Sequence, residues 1–308
     1  MNCVKWGDIM KLYIRFLLAI INRGFWRILG DEYFLRLKFY ILMGRPLNLT
    51  NPQTFNEKLQ WLKLHDRKPE YTTMVDKYAV RGYIAEKLGE EYLIPLLGVW
   101  DDPEEIDFDK LPDRFVLKCT HDSGGVVICR DKSQLNSIQV KKKLKKNLKR
   151  NFYSITREWP YKNVPRKIIA EKYMTDESGV TELTDYKFFC FDGYVDCVMV
   201  CLERTVNDAK YYFFDRQWNL KRLNKRGQAA PENFTINKPE HMDAMFTVAE
   251  KLSRGLPFVR VDLYQSEGKI YFGELTFFPA SGFDANLLKE TDKYFGRLIK
   301  EREYGGIR

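Results

Sequence analysis

Residues 258–283, FVRVDLYQSEGKIYFGELTFFPASGF, decide how the chain is read. Two alternating segments, 259–264 and 269–276, flank Gln265-Ser266-Glu267-Gly268, the signature of a β-hairpin closed by a longer loop. Charge stands where a core is expected: Asp262 lies inside the first strand and Glu274 inside the second. Arg260, two residues before Asp262, shares its face of the pleat. Two carboxylates and a guanidinium on one sheet face are costly to bury unless they hold something charged. A hard cation with a phosphate beyond it satisfies that condition, because Mg2+ prefers a few carboxylate oxygens plus substrate phosphates. An Arg-Asp-Glu salt bridge stabilising the hairpin satisfies it too, and the stretch alone leaves both readings open.

The whole chain has 308 residues, enough for a large core and two or three subdomains. Its 51 Lys+Arg against 42 Asp+Glu give a net charge of +9. That balance favours an anionic partner: a nucleotide, an acidic sugar, a lipid surface or nucleic acid. The cysteines, at 3, 119, 129, 190, 197 and 201, form no CxxC pair, and several fall in strand-like runs. They read as small buried hydrophobes in a reducing compartment, not as disulfides or a zinc site. The histidines are too scattered for a metal-ligand pattern. A cytosolic, aromatic-rich enzyme or binding protein is the class these features leave.

Outward from the hairpin, residues 241–254 form an amphipathic helix leading into it, and 284–300 close the chain as another. Upstream, 185–191 and 194–202 flank Asp192-Gly193 as an antiparallel hairpin, with Asp185, Lys187 and Arg204 near its mouth. Residues 211–214 add a strand. Further back, strands 115–119 and 126–129 flank a Thr-His-Asp-Ser-Gly-Gly turn whose backbone N–H groups suit phosphates. No GK[ST] follows, so this is not a Walker loop, and Ser-Gly-Gly is also an ordinary hairpin turn. Lys118, projecting from a buried strand beside that loop, is expected to find an anion. Residues 131–150 contain KKKLKKNLKR, read as a helix with a solvated basic face. It lacks the interleaved aromatics of a single-strand nucleic-acid platform, so no nucleic-acid partner is expected. Residues 167–174 form another strand.

The N-terminal third reads as helical. Residues 10–21 are too short and too charged to span a membrane and lack a cleavage site. Two readings stay open for them: a packed core helix, or an amphipathic helix lying on an anionic membrane at its inner face. Residues 32–43 form a helix stopped by Gly44 and Pro46. Asn51 or Thr54 caps the next, with Glu57 completing a capping box. A long helix is expected over 71–88, with Asp76, Lys77 and Arg81 read first as a solvated face and second as one that contacts an anion. Pro95 and the acidic run 101–105 mark a loop.

In order, NPQTFNEKLQWLK (51–63), DKYAVRGYI (76–84), LPDRFVLKCTHDSGGVVICRDK (111–132), DYKFFCFDG (185–193) and GELTFFPASGF (273–283) resemble the ATP-grasp superfamily of carboxylate-amine ligases. The resemblance is to its TupA-like branch, named for teichuronopeptide biosynthesis, and covers most of the chain. It implies an α/β (α+β) ATP-grasp fold: a helical N-terminal, acceptor-side region (1–112), a small lid (113–175), and an antiparallel-sheet subdomain (176–308), with ATP between the last two. Carried over by position, Lys118 contacts ATP phosphates and His121, Ser123, Gly124 and Gly125 belong to the loop folding over them. Glu171, Lys172, Tyr173 and Met174 match the hinge that reads adenine. Asp185 and Lys187 face nucleotide or acyl phosphate, and Arg204 and Arg260 stabilise the phosphorylated carboxylate. Asp262 and Glu274 match the Mg2+ carboxylates. Thr276 stands where many members carry an asparagine ligand, and a hydroxyl is a weaker one.

The implied reaction joins an amine to a carboxylate through an acyl phosphate, with ATP and Mg2+ as cofactors, in cytoplasmic synthesis of cell-surface polysaccharide such as capsule. Small or sugar-linked substrates, with a uronic acid taking an amino acid or amino alcohol, would be the partners. Rival readings are a glycosyltransferase using Asp107-Phe108-Asp109, an ATP-dependent kinase on the same fold, and a silent nucleotide- or lipid-binding module. Release of ADP that depends on an amine separates the ligase from all of these.

Overall fold

The computed structural model describes residues 29–175, 183–202 and 210–300, and the expected N-terminal helix and Arg204 lie outside them. Helices α1 (Asp31–Met43), α2 (Phe55–His65), α3 (Glu70–Val75) and α4 (Val80–Lys87) come first. Strands β1 (Leu96–Trp100), β2 (Phe115–Cys119), β3 (Val126–Cys129) and β4 (Ile168–Lys172) follow, with α5 (Ser137–Leu148) and α6 (Phe152–Thr156) between β3 and β4. Then come β5 (Tyr186–Phe191), β6 (Tyr194–Leu202), β7 (Lys210–Phe214), β8 (Leu220–Lys221), α7 (Lys225–Gln228), α8 (Met242–Ser253), β9 (Val259–Ser266), β10 (Lys269–Thr276) and α9 (Lys289–Leu298). Two antiparallel sheets result, ordered β1-β4-β2-β3 and β10-β9-β5-β6-β7-β8. Among the described residues no helix is long and apolar enough to cross a membrane.

Each sheet is two-faced because its strands alternate. In the smaller sheet, Phe115, Leu117, Cys119, Val127 and Ala170 face away from the cleft and pack with Val140 and Leu144 of α5. That is the apolar side of the basic helix. The larger sheet packs Phe188 against Phe246 of α8, ring centroids 5.1 Å apart. Its other face is covered at one end by α2 and α9, where Phe55, Phe189, Phe258 and Phe295 meet edge-on, tilted or stacked within 6.4 Å. Burying each such ring contributes about 1.5–3 kcal/mol. The uncovered end of that face is the floor of the cleft described below.

Several local expectations hold. Thr54 and Glu57 form the reciprocal capping box of α2, and Gly44 ends α1 in the left-handed conformation. Others are corrected. The 71–88 helix breaks, because the Asp76 carboxylate accepts from the N–H groups of Tyr78 (2.8 Å) and Ala79 (3.3 Å) and competes with the helical ladder. The segment after Pro95, expected as loop, enters the smaller sheet as β1, which pairs with β4 and reaches back across the boundary drawn at residue 112. The final helix starts only at Lys289. The β9–β10 connection is tighter than expected: Ser266 pairs with Lys269, and Glu267 and Gly268 both take positive φ, as a two-residue type I′ turn requires.

Candidate active site

A cavity of about 360 Å3 lies between the two sheets. Its roof is one face of the smaller sheet. Cross-strand pairing sets Lys118 opposite Ile169 and Val126, and Val116 opposite Glu171 and Ile128, so these six side chains share a face. All six line the cavity. Lys118 Nζ donates to Glu171 Oε2 at 2.6 Å, and Arg81 Nη1 donates to Glu171 Oε1 at 3.2 Å. Lys77 lines the cavity as well, and its ammonium donates to the main-chain carbonyl of Asp122 in the β2–β3 loop. Burial pushes the Lys77 pKa down, against the opposing pull of Glu274 and Asp122. The helix break at Asp76 is what turns Lys77 toward this loop: the Lys77 N–H donates to the Thr120 carbonyl at 3.3 Å.

The floor is a row across three strands. Lys187 of β5 stands opposite Asp262 of β9, which stands opposite Glu274 of β10. Simple alternation does not produce that row. From Ser266–Lys269 to Leu263–Phe272 the pairing is regular, and continued it would set Gly273 against Asp262. A bulge at Gly273 adds one residue, moving Glu274 and Thr276 onto the face of Asp262 and Arg260. Only glycine fits there, since an added Cβ would lie 2.8 Å from the Tyr264 ring and 2.9 Å from the Asp262 carbonyl oxygen.

Asp262 is 1% exposed and its carboxylate is the hub of the floor. Arg260 donates to it through Nε and Nη2, both at 2.7 Å, and Lys187 Nζ at 2.5 Å. Burial alone would raise the Asp262 pKa, but the two cations outweigh it and hold the carboxyl below its ordinary range. Burial likewise acts to lower Lys187, and Asp262 beside it reverses the direction, so the lysine ends above its ordinary value. Arg260 Nη2 also reaches Glu274 Oε1 and Thr276 Oγ1, each at 3.1 Å, and the Thr276 hydroxyl lies 3.2 Å from Glu274 Oε1. Asp185 lies 3.4 Å from Lys187.

Eleven residues singled out from the sequence thus line one cavity: Lys118, Ser123, Gly124, Glu171, Lys172, Tyr173, Met174, Asp185, Lys187, Asp262 and Glu274. Arg260 stands behind Asp262 and Glu274. Thr276, expected as a ligand, has its hydroxyl between Arg260 and Glu274. His121 lies beneath the loop, 3% exposed, with Nε2 3.2 Å from the Arg150 carbonyl oxygen. Gly125 packs on the buried Asp122 carboxylate, which an added Cβ would approach to 2.6 Å. The Glu171 carboxylate is turned to the two cations. Lys77 and Arg81, read as a solvated face, line the cavity instead. The signal was their position in the DKYAVRGYI motif, which helical periodicity obscured. Asn56 and Lys58 of α2 reach away from the cavity, to Asp292 and to the Ile299 carbonyl. Asp107 caps the N–H of Asp109 at 3.1 Å and pairs with Lys110 at 3.2 Å.

The floor fits a hard cation by its donor chemistry. A carboxylate offers about four lone-pair positions; Arg260 and Lys187 fill three on Asp262, leaving one. Glu274, 45% exposed, presents the other carboxylate. Among the described residues no group of three or more His, Cys, Asp or Glu side chains is already gathered for a metal, so substrate oxygens would have to complete the shell.

A family model described as TupA-like ATPgrasp matches residues 57–300. No curated protein matches the chain in sequence. Solved structures similar to it include D-alanine--D-alanine ligase from Bacillus anthracis, at 17% identity over 80% of this chain and 68% of that one, TM-score 0.40. D-alanine-D-alanine ligase from Helicobacter pylori is 11% identical over 82% and 68%, TM-score 0.44. The D-cycloserine synthetase DcsG is 14% identical over 75% and 71%, TM-score 0.42. With more than half of its length matched by one family model, the chain belongs to the TupA-like ATP-grasp family and has the ATP-grasp fold.

Proposed function

We propose that the protein is an ATP-dependent carboxylate-amine ligase with its nucleotide in the cleft between the sheets. The observation that carries this is the opposition of charges across one cavity. Lys77, Arg81, Lys118 and Lys172 on the roof side stand against Glu171 alone, while Asp185, Asp262 and Glu274 lie on the floor with Lys187. A polyphosphate suits the first set and its counter-cation the second. Apolar Val116, Ile169, Met174 and Leu183 provide walls for a base beside the 172–174 hinge. Known ATP-grasp ligases among the similar structures were solved with ATP, and with Mg and ADP.

In this reading a substrate carboxylate oxygen attacks the γ-phosphorus of ATP and ADP leaves. An amine then attacks the acyl carbon, and phosphate departs with the original carboxylate oxygen. Lys118 and Lys77 hold the polyphosphate while the Ser123-Gly124 backbone shields it from water. Lys187 would face the negative charge that gathers on the transferred group, with Arg260 behind Asp262 adding to the field, and their fixed contacts to Asp262 mean little reorganisation during transfer. Mg2+, held by Asp262 and Glu274, would neutralise phosphate charge. Thr276 orients Glu274. The carboxylate is proposed to be a uronic acid and the amine an amino acid or amino alcohol, in capsular or cell-wall polysaccharide synthesis. A screen of uronic acids against amino acids and amino alcohols for ADP release tests it. Release requiring both partners is expected; release with a hydroxyl acceptor alone would point to a kinase, and release with neither partner to simple hydrolysis of ATP.

A further inference from the structure

Two left-handed turns meet the interior face of α2. One is Ala280–Gly282, directly after β10, with φ of +49°, +52° and +67°. The other centres on Arg157, φ +57°, after α6. Alanine, serine and arginine keep such a conformation only when their surroundings impose it. The imposing groups are on α2 and α1. Lys63 Nζ donates to the Ser281 carbonyl at 2.7 Å and the Thr156 carbonyl at 3.0 Å. Gln60 Nε2 donates to the carbonyls of Gly282 at 2.6 Å and Ser281 at 3.2 Å. Lys38 Nζ donates to the Ile155 carbonyl at 2.7 Å, and Ser281 Oγ to Glu158 Oε1 at 2.7 Å. Lys63 is wholly buried, 4.9 Å from the Phe283 ring centroid. Gly282 fits against α2 only without a side chain, since a Cβ would come 2.4 Å from Gln60 Nε2.

A buried ammonium is a poor way to add stability, because a well-packed apolar chain of similar volume usually does as well or better. What it adds here is a fixed position for two carbonyls on separate segments. We propose that Lys63, with Gln60 beside it, is a positioning group for the proposed ligation, clamping the 280–282 turn to the 156–158 turn. Resting on the ligase reading, this assigns α2 the task of holding the C-terminal end of β10, from which Glu274 and Thr276 project. The second turn runs into Trp159–Asn163, which packs on α3, and α3 leads into Asp76-Lys77. One lysine thereby references both the floor carboxylates and the Lys77 segment to a common point, without touching substrate.

The test pairs Lys63→Met with Lys63→Arg and Gln60→Leu, and reads both kinetics and hydrogen–deuterium exchange. In Lys63→Met, kcat falls by about tenfold or more, as a misplaced group requires, while the KM for ATP, with Lys118 still in place on the roof, rises by a clearly smaller factor. Exchange rises in the peptide covering 277–283 and not in α9, and Lys63→Arg recovers most of kcat. Gln60→Leu, which buries no new charge, shows the same split if Lys63→Met does not fold. An unchanged kcat, or a fall matched by uniform unfolding and unrescued by arginine, overturns the clamp. If the parent shows no amine-dependent ADP release, the ligase reading has failed, yet the exchange of 277–283 still decides the clamp.

Discussion

The charges of the floor belong to single residues, and their consequences can be measured one at a time. Asp262 satisfies Arg260 and Lys187 together, so Asp262→Asn removes the buried carboxylate they share and leaves only Glu274 beside Arg260 and Asp185 beside Lys187. It should cost roughly 3–5 kcal/mol of stability in denaturant unfolding and abolish turnover. The pH dependence has a definite sign. The Asp262 carboxyl sits below its ordinary range, led against burial by Arg260 and Lys187. Its stabilisation is therefore present above the unfolded carboxyl value, about 3.9, and is lost as pH falls through the lower folded value. Lys187 sits above its ordinary value, so its share is present below about 10.4 and is lost as pH rises through the folded value. Parent stability should drop more steeply than that of Asp262→Asn on acidification below about pH 4; equal slopes would detach Asp262 from this balance. On the roof, Lys118→Ala should raise the KM for ATP by about 10–100-fold, the worth of a charge-assisted contact. A KM within error of the parent would remove Lys118 from the phosphate site.

At the scale of the element, the β9–β10 hairpin shows what geometry adds to composition. Gly273→Ala adds a methyl 2.8 Å from Tyr264 and 2.9 Å from the Asp262 carbonyl, so the bulge must shift. A thermal melt should show a loss of about 1–3 kcal/mol, and turnover should fall further than stability because Glu274 leaves its register. Retained turnover at parental stability would mean the bulge does not place Glu274. The strands and the charged residues within them were legible, since alternation and turn chemistry are local. The bulge was not, because an extra residue in one strand is defined only against its partner. The same holds for Lys77 and Arg81. Their spacing suits an exposed helix face, and the local capping by Asp76 turns them inward only together with the contacts that Lys77 makes to Thr120 and Asp122 of the β2–β3 loop. β1 was hidden by Pro95 and the acidic run, although Leu96–Trp100 is itself apolar. The capping box of α2 was readable because Thr54 and Glu57 satisfy each other without outside help.

Across the whole molecule, the cleft joins a cationic sheet face, built on α5, to an acidic row on a sheet built on α8. On the proposed reading, a nucleotide and its counter-cation would be held by both faces at once. Ligand occupancy should then couple to the stability of the whole. At about 100 times its Kd, ATP with Mg2+ should add about 2.7 kcal/mol to the unfolding free energy; the gain should shrink in Lys118→Ala, and its persistence there would place the nucleotide elsewhere. The Asp107–Asp109 pair of the glycosyltransferase reading lies on a short exposed turn, away from the cavity lining. The central claim, that a carboxylate is activated by phosphoryl transfer and then captured by an amine, is tested most directly by isotope transfer. With the carboxylate of a productive substrate pair labelled with 18O, the account predicts one labelled oxygen in the inorganic phosphate for every amide formed. Phosphate free of label, with ADP still released, would contradict it.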